Sequence, residues 1–362
     1  MSLSRRAYRA ALVPTQGYCS AVHRAPFSHS PLRTIVQHIM RRLIARTAAP
    51  KFYGARPPHR PLPLHPQGEV LAGGSERLGA IVDVGDAREI DASGAATVVD
   101  AVRAHGVAIL KRQSLSRAEQ VAFTEKIGET IVLPKFFLQG NDPEPNHPAI
   151  QRITNFWADG TWKGPTYFAG AYWHQDGQFW QAPLQNIVSM LYGQTVSACG
   201  RGETGFVDLR AARAMLPPPL RARAADACIL ASVRKIGDFS EASAEDLAPF
   251  PDVSHPMLAN HLLDGGEVLY LGSQHMDVGG LESAEAGTAL LTELLAHATS
   301  PEFAYYHTWE AGDLVLWDNT QVLHHGMPYD NNGINVREYY RTQARFREAA
   351  SRASVAVGEA SL

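Results

Sequence analysis

The first 68 residues contain no aspartate or glutamate; Glu69 is the first acid in a chain of 362. That stretch holds 11 of the 33 Lys and Arg residues, which leaves the rest of the chain with 22 basic against 36 acidic residues, a net charge of −14. A body so acidic excludes charge-driven binding to nucleic acid. Cysteine is scarce as well. Cys19, Cys199 and Cys228 are too few and too scattered for a disulfide framework or a zinc ribbon, and they read as ordinary thiols. No run approaches the ~18–20 apolar residues of a membrane-spanning helix. The glycine-rich segment Gly200-Arg201-Gly202-Glu203-Thr204-Gly205 matches neither G-x-x-x-x-G-K-[ST] nor G-x-G-x-x-G, so it carries no phosphate-loop signature.

What is present divides the chain in three. Residues 1–68 are acid-free and Arg- and Ser-bearing, with Leu32, Ile35, Ile39 and Leu43 about a helical turn apart, as in an organellar transit peptide. A disordered basic arm or an upstream start codon in a bacterial gene are the competing readings. The expected location is the mitochondrion in a eukaryote and the cytoplasm otherwise. Within this extension the Pro- and His-rich residues 57–67 read as a linker. Residues 69–350, with 45% hydrophobic residues over the whole chain, are long enough for a sizeable core, and 351–362 form a tail. A homo-oligomer is compatible with the sequence.

Inside the main region the pattern is mixed. Strands are expected at 80–84, 107–110, 187–192, 268–271 and 314–317. Helices are expected at 95–105, at 117–127 behind the capping box Ser116/Glu119 and stopped by Gly128, after Asp208 until Pro217, and at 284–297. Residues 133–166, rich in Pro, Gly and Asn, read as a long loop of the kind that forms lids and binding loops.

The chemistry starts at Tyr172-Trp173-His174-Gln175-Asp176-Gly177. Side chains two apart on a strand leave from one face, so His174 and Asp176 can grip one ion together. Imidazole plus carboxylate are two of the three groups in the 2-His-1-carboxylate triad of non-heme Fe(II) oxygenases. About one H-x-D pair is expected by chance in a chain with 15 His, and a second occurs at His275-Met276-Asp277. Context separates them. The apolar, aromatic run 167–173 before His174 reads as a buried strand, whereas the His275 pair sits among Gly272, Gly279 and Gly280 in a loop. The candidate third ligand is His324, seven residues beyond Trp317; the adjacent His325 would point to the opposite strand face. Trp173, Phe179, Trp180 and Phe206 are candidate pocket walls.

Near the end, Arg337, Arg341 and Arg345 alternate along a strand with Glu338 and Tyr340 and so share a side. A solvated face explains Arg345. A guanidinium turned into a pocket near the third ligand suits a carboxylate, because it is planar, always charged and bidentate.

These pieces, W-H-x-D at 173–176, G-x-T-x-F at 202–206, G-D-L-V-L-W-D-N at 312–319 leading to His324, and R-E-x-x-R-T at 337–342, occur in one order over roughly 270 residues. In that combination the chain resembles the taurine/chlorophenoxyacetate dioxygenase (TauD/TfdA) family of Fe(II)- and 2-oxoglutarate-dependent enzymes. The resemblance implies an α+β, mainly β fold with a double-stranded β-helix (jelly-roll) core. It implies Fe(II) on His174, Asp176 and His324, and 2-oxoglutarate held by Thr204 and Arg337. Arg341 falls where such enzymes meet an anionic group of the substrate or co-substrate. O2 would then hydroxylate a small anionic substrate while 2-oxoglutarate is converted to succinate and CO2. Thr320 and Gly170 depart from the pattern of the taurine enzymes, which points away from taurine. An inactive jelly-roll binding protein and a zinc hydrolase on the same ligands are the alternatives.

Overall fold

The computed structural model describes residues 77–347 except 135–136, 138–142, 166, 168–169, 183–184, 186 and 236–241, together with the two-residue strand Leu64–His65. The chain divides between Arg56 and Pro57 into two units, and only the second contains described residues. The proposed transit segment at 32–46 and the tail at 351–362 lie outside them. Among the described residues no helix is long and apolar enough to cross a membrane.

In chain order the strands are β1 (Leu64–His65), β2 (Ala80–Val82), β3 (Val107–Leu110), β4 (Gly128–Thr130), β5 (Pro143–Glu144), β6 (His147–Thr154), β7 (Ile187–Thr195), β8 (Thr204–Asp208) and β9 (Cys228–Ala231). They continue with β10 (Val253–Pro256), β11 (Leu258–Asn260), β12 (Glu267–Leu269), β13 (Asp277–Gly279), β14 (Ala304–His307), β15 (Leu314–Asp318), β16 (Val322–Gly326) and β17 (Glu338–Phe346). The helices are α1 (Ala92–His105), α2 (Arg117–Ile127), α3 (Leu209–Ala214), α4 (Pro218–Ala224), α5 (Ala244–Leu247) and α6 (Ala284–Ala298). A nine-stranded sheet has the order β1-β2-β3-β15-β7-β17-β6-β5, with β4 also on β17; a three-stranded sheet has the order β14-β8-β16.

Strand alternation builds three apolar layers from these two sheets. On β3 and β15, Val107, Ile109, Val315 and Trp317 face inward and meet Phe206, Tyr305 and Val322 of the small sheet. Their neighbours Ala108, Leu110, Leu314 and Leu316 face outward, under Val98 and Val102 of α1 and Phe123 of α2. On the far side of the small sheet, Val207 and Leu323 pack against Leu290, Leu291 and Leu294 of α6. Strands buried on both faces need no polar alternation, which is why β3 and β15 read as unbroken apolar runs.

Most expected elements appear within a few residues of where the pattern puts them, including the Ser116/Glu119 capping box. Two readings change, and the stop at Gly128 holds with a different backbone. Residues 133–166 are not one long loop: they contain β6, which pairs with β17 on one side and β5 on the other. Its weak alternation and Pro148 hid it, and long-range pairing supplies what local propensity lacks. The described residues of the run before His174 are not in a strand. Gly170 takes a left-handed φ of 65° there, and His174 joins strand structure only through isolated bridges to His324 and Ser273. Gly128 ends α2 in extended backbone, without a left-handed cap, and a Cβ on it would lie 2.3 Å from the Arg345 carbonyl oxygen. Within the 57–67 segment, Leu64 and His65 pair in parallel with Ile81 and Val82.

Candidate metal centre and its cavity

Between the two sheets lies a cavity of about 270 Å³ whose lining includes His174, Asp176, Thr204, His324, Arg337 and Arg341. His324 is carried by β16. His174 reaches it by exchanging two backbone hydrogen bonds, His174 N to His324 O at 3.0 Å and His324 N to His174 O at 2.9 Å. Across this bridge the two imidazole centroids are 4.0 Å apart. His174 Nε2 lies 3.9 Å from Asp176 Oδ1 and His324 Nε2 lies 3.8 Å from Asp176 Oδ2. One ligand atom from each of the three residues falls within 4.8 Å of the others, a metal-sized group.

The surroundings fix both orientation and charge. His174 Nδ1 sits 2.8 Å from the Tyr172 carbonyl oxygen, so Nδ1 carries the proton and Nε2 keeps its lone pair for the cavity. Burial, chiefly, pushes both imidazoles toward the neutral form, His324 well below the ordinary histidine range. Burial opposes charge on Asp176 too, yet the Arg341 guanidinium and the two imidazoles hold its carboxyl far below the usual carboxylate range. Two neutral imidazoles and one carboxylate are the protonation states a divalent cation requires.

Asp176 is held by three residues. Its backbone N–H donates to Asn319 Oδ1 at 3.0 Å, and Arg341 Nη1 donates to its two oxygens at 3.0 and 3.1 Å. Ser189 Oγ donates to Oδ2 at 2.7 Å and accepts from Asn319 Nδ2 and Gln343 Nε2, both at 2.9 Å. With both lone pairs engaged, the serine hydrogen has only the carboxylate to serve. The intervening Gln175 points the other way, buried, and staples the loop: its amide donates to Asn319 O at 2.6 Å and accepts from Leu271 N and Gly272 N at 3.1 and 2.9 Å. Directly after Asp176 the chain turns at Gly177, whose φ of 74° favours glycine and where a Cβ would lie 2.2 Å from Ile187.

At the other end of the cavity, Thr204 opens β8 and is 4% exposed. Arg337 precedes β17, its guanidinium 4.7 Å from the Tyr339 ring centroid and 5.2 Å from that of Tyr329. Its Nε is buried without a hydrogen-bond partner. A buried donor left over in this way needs a partner from solvent or from a ligand. Leu133, Phe137, Phe179 and Trp180 form an apolar side of the same cavity, with Phe137 stacked on Phe179 at 4.5 Å.

Of the expected walls, Phe179 and Trp180 line the cavity, while Phe206 is fully buried between the sheets and Trp173 packs beside His325 on the outer layer. His275 and Asp277 are not part of the cluster; Asp277 opens β13 and pairs with Lys235. Arg345 lies over Trp180 outside the lining, and no residue of 272–281 lines the cavity. The roles of Ser189, Asn319, Gln175 and Gln343 were missed. The signal was there for Ser189, a hydroxyl inside an otherwise apolar strand, which needs a partner.

The model of the taurine catabolism dioxygenase TauD, TfdA family matches residues 62–343. The α-ketoglutarate-dependent 2,4-dichlorophenoxyacetate dioxygenase of Cupriavidus pinatubonensis is 34% identical over 255 residues, 67% of this chain and 85% of that protein. Pentalenolactone F synthase of Streptomyces arenae is 28% identical over 289 residues, 75% of this chain and 90% of that protein. Among solved structures, a taurine dioxygenase from Burkholderia xenovorans superposes with a TM-score of 0.58 at 25% identity, covering 75% of this chain and 88% of that one. With the family pattern extending over the whole sheet-and-helix body, the chain belongs to the TauD/TfdA family of dioxygenases.

Proposed function

We propose that this protein is an Fe(II)- and 2-oxoglutarate-dependent dioxygenase that hydroxylates a small anionic substrate, with the two sheets acting as a double-stranded β-helix. His174, Asp176 and His324 hold the iron, and Thr204 and Arg337 hold the distal carboxylate of 2-oxoglutarate. The observation that carries the reading is the pairing, within one cavity of about 270 Å³, of an imidazole–carboxylate cluster with a buried guanidinium nitrogen that has no partner. The first is a cation site and the second an anion site, and 2-oxoglutarate, a chelator with a second carboxylate, spans the two.

Bound iron with its co-substrate and O2 supplies the oxidation of a C–H bond, coupled to conversion of 2-oxoglutarate into succinate and CO2. The chain's own work is positional. The Tyr172 carbonyl fixes the His174 tautomer, Ser189 and Asn319 fix Asp176, and Arg341 adds positive charge next to the carboxylate. Phe137, Phe179 and Trp180 exclude water from the substrate side and offer apolar area to the body of an organic acid. The relative from Cupriavidus, named for 2,4-dichlorophenoxyacetate, takes a substrate of that kind, an anion with an apolar body.

The test is anaerobic titration of the full-length protein with Fe(II) and then 2-oxoglutarate, followed by the visible charge-transfer band of the chelate. The band is expected to form and to be lost in His324→Ala. A folded, iron-loaded protein that gives no band overturns the reading. A screen of small carboxylates and sulfonates for stimulated succinate release then narrows the substrate.

A further inference from the structure

Thr204 has a neighbour that none of the motifs contains. The indole nitrogen of Trp309, a residue 8% exposed, lies 3.0 Å from Thr204 Oγ1. An indole N–H only donates, whereas a hydroxyl has one hydrogen to give and two lone pairs to receive. The bond therefore has a single polarity, Trp309 donating and Thr204 accepting, and the Thr204 hydrogen is left for another acceptor. Thr204 lines the cavity.

Trp309 is itself clamped. His307 meets its ring edge-on at 4.7 Å and 84°, and Tyr339 meets it at 4.7 Å and 69°. Gly193 makes room for it, since a Cβ there would lie 3.0 Å from the indole. His307 pairs in register with Thr204 across β14 and β8. It is anchored at both ring nitrogens, Nδ1 3.0 Å from the Tyr305 hydroxyl and Nε2 3.0 Å from Asp313 Oδ2. Asp313, fully buried, also takes Lys111 Nζ at 2.8 Å. The ring packing would hold any aromatic side chain of this size; only the N–H gives the hydroxyl a direction.

We propose that Trp309 is a positioning residue that turns the Thr204 hydroxyl hydrogen toward the distal carboxylate of 2-oxoglutarate, braced from behind by the Tyr305–His307–Asp313–Lys111 chain. The proposal rests on the assignment of Thr204 and Arg337 to that carboxylate. A carboxylate only accepts, so a hydroxyl fixed as a donor pays no cost of reorientation when the ligand arrives.

The experiment measures equilibrium binding of 2-oxoglutarate to the anaerobic Fe(II) protein by the charge-transfer band and by calorimetry, in W309F, T204V and the double variant. W309F is expected to raise the Kd about three- to tenfold, and T204V at least as much, with Fe(II) affinity unchanged. The double variant should be no weaker than the weaker single one, because the two groups act as a unit. With 2-oxopentanoate, which lacks the distal carboxylate, W309F and the unaltered protein should bind equally. If W309F does not fold, benzothienylalanine at 309, two-ringed but without the N–H, replaces it. Unchanged 2-oxoglutarate binding in W309F beside a weakened T204V overturns the role of Trp309 and leaves the anion site standing, as do additive losses in the double variant. If T204V and Arg337→Ala both bind normally, the anion-site assignment itself falls and the proposal with it.

Discussion

The two ends of the cavity are built on opposite principles. At the Asp176 end the supports of the carboxylate are saturated, although His324 Nδ1 is left without a partner: Ser189 uses its hydrogen and both lone pairs, and the Asp176 carboxylate meets Ser189 and Arg341 at once. At the Arg337 end a buried guanidinium nitrogen has no partner and a hydroxyl hydrogen is left over. A cation site works by holding acceptors at fixed spacing before the metal comes, so its supporting donors are saturated. An anion site works by keeping donors in reserve. This difference between the two ends underlies the proposed assignment of a cation to one and a carboxylate to the other.

The sharpest way to break this contrast is to remove a ligand at the saturated end. His174→Ala, Asp176→Ala or His324→Ala should each weaken Fe(II) binding more than about a hundredfold and abolish succinate release, since loss of a supporting group alone costs ~10–100-fold. His275→Ala should do neither; iron titration with a parallel succinate assay checks the set, and iron binding intact in His324→Ala would refute the assignment. At the surplus end, Arg337→Ala should cost 2-oxoglutarate affinity about 2–4 kcal/mol while leaving iron binding alone, and Arg337→Lys should recover it only in part, because an ammonium cannot form the planar fork. Equal losses of iron and co-substrate in Arg337→Ala would erase the distinction between the ends.

A smaller effect is expected from Ser189→Ala: about tenfold in iron affinity, with co-substrate affinity at saturating iron unchanged, read by competitive chelation. Protons should act on the same end. His174 and His324 are held neutral by burial, and His325 is lowered from 6.5 to about 4. For groups whose folded pKa lies below the unfolded value, the contribution to stability is complete above pH 6.5 and is lost as pH falls toward 4. The melting temperature of the metal-free protein should therefore be flat with respect to these groups above 6.5 and decline below it. A curve unchanged down to pH 4.5 would mean that these histidines are not buried neutral. The smallest effect belongs to Arg345→Ala, which falls in the same sequence alternation as Arg337 but lies over Trp180; its co-substrate affinity should stay within about twofold, as the same titration will show.

How much of this was legible beforehand follows a pattern. His174, Asp176, Thr204, His324, Arg337 and Arg341 were all named from short motifs, and all six line one cavity. Motifs capture residues whose chemistry demands a fixed type at a fixed spacing. Helix α2 was equally readable, because Ser116 and Glu119 state its start within four residues. Strand β6 was not. Its residues carry weak alternation, and it exists because β17 lies alongside with Gln151 opposite Arg341. The strand expected before His174 failed for the converse reason: an aromatic run has strand propensity, but Gly170 turns the chain, and the cavity needs Tyr172 and His174 on its wall.

By itself, then, the sequence determined the acidic body behind a basic extension, the capped helices, the apolar strands buried on both faces, and the identity of the imidazole, carboxylate, hydroxyl and guanidinium groups that the motifs single out. All of these depend on interactions within a few residues or on residue type alone. Only the tertiary structure decided that His174 meets His324 through a bridge spanning 150 positions, that Ser189, Asn319 and Gln343 converge on Asp176, and that Trp309 donates to Thr204. Those contacts join segments far apart in the chain, and no local pattern encodes them. They form because sheet pairing and core burial bring the segments together, and each buried polar atom must then find a partner there or wait for a ligand.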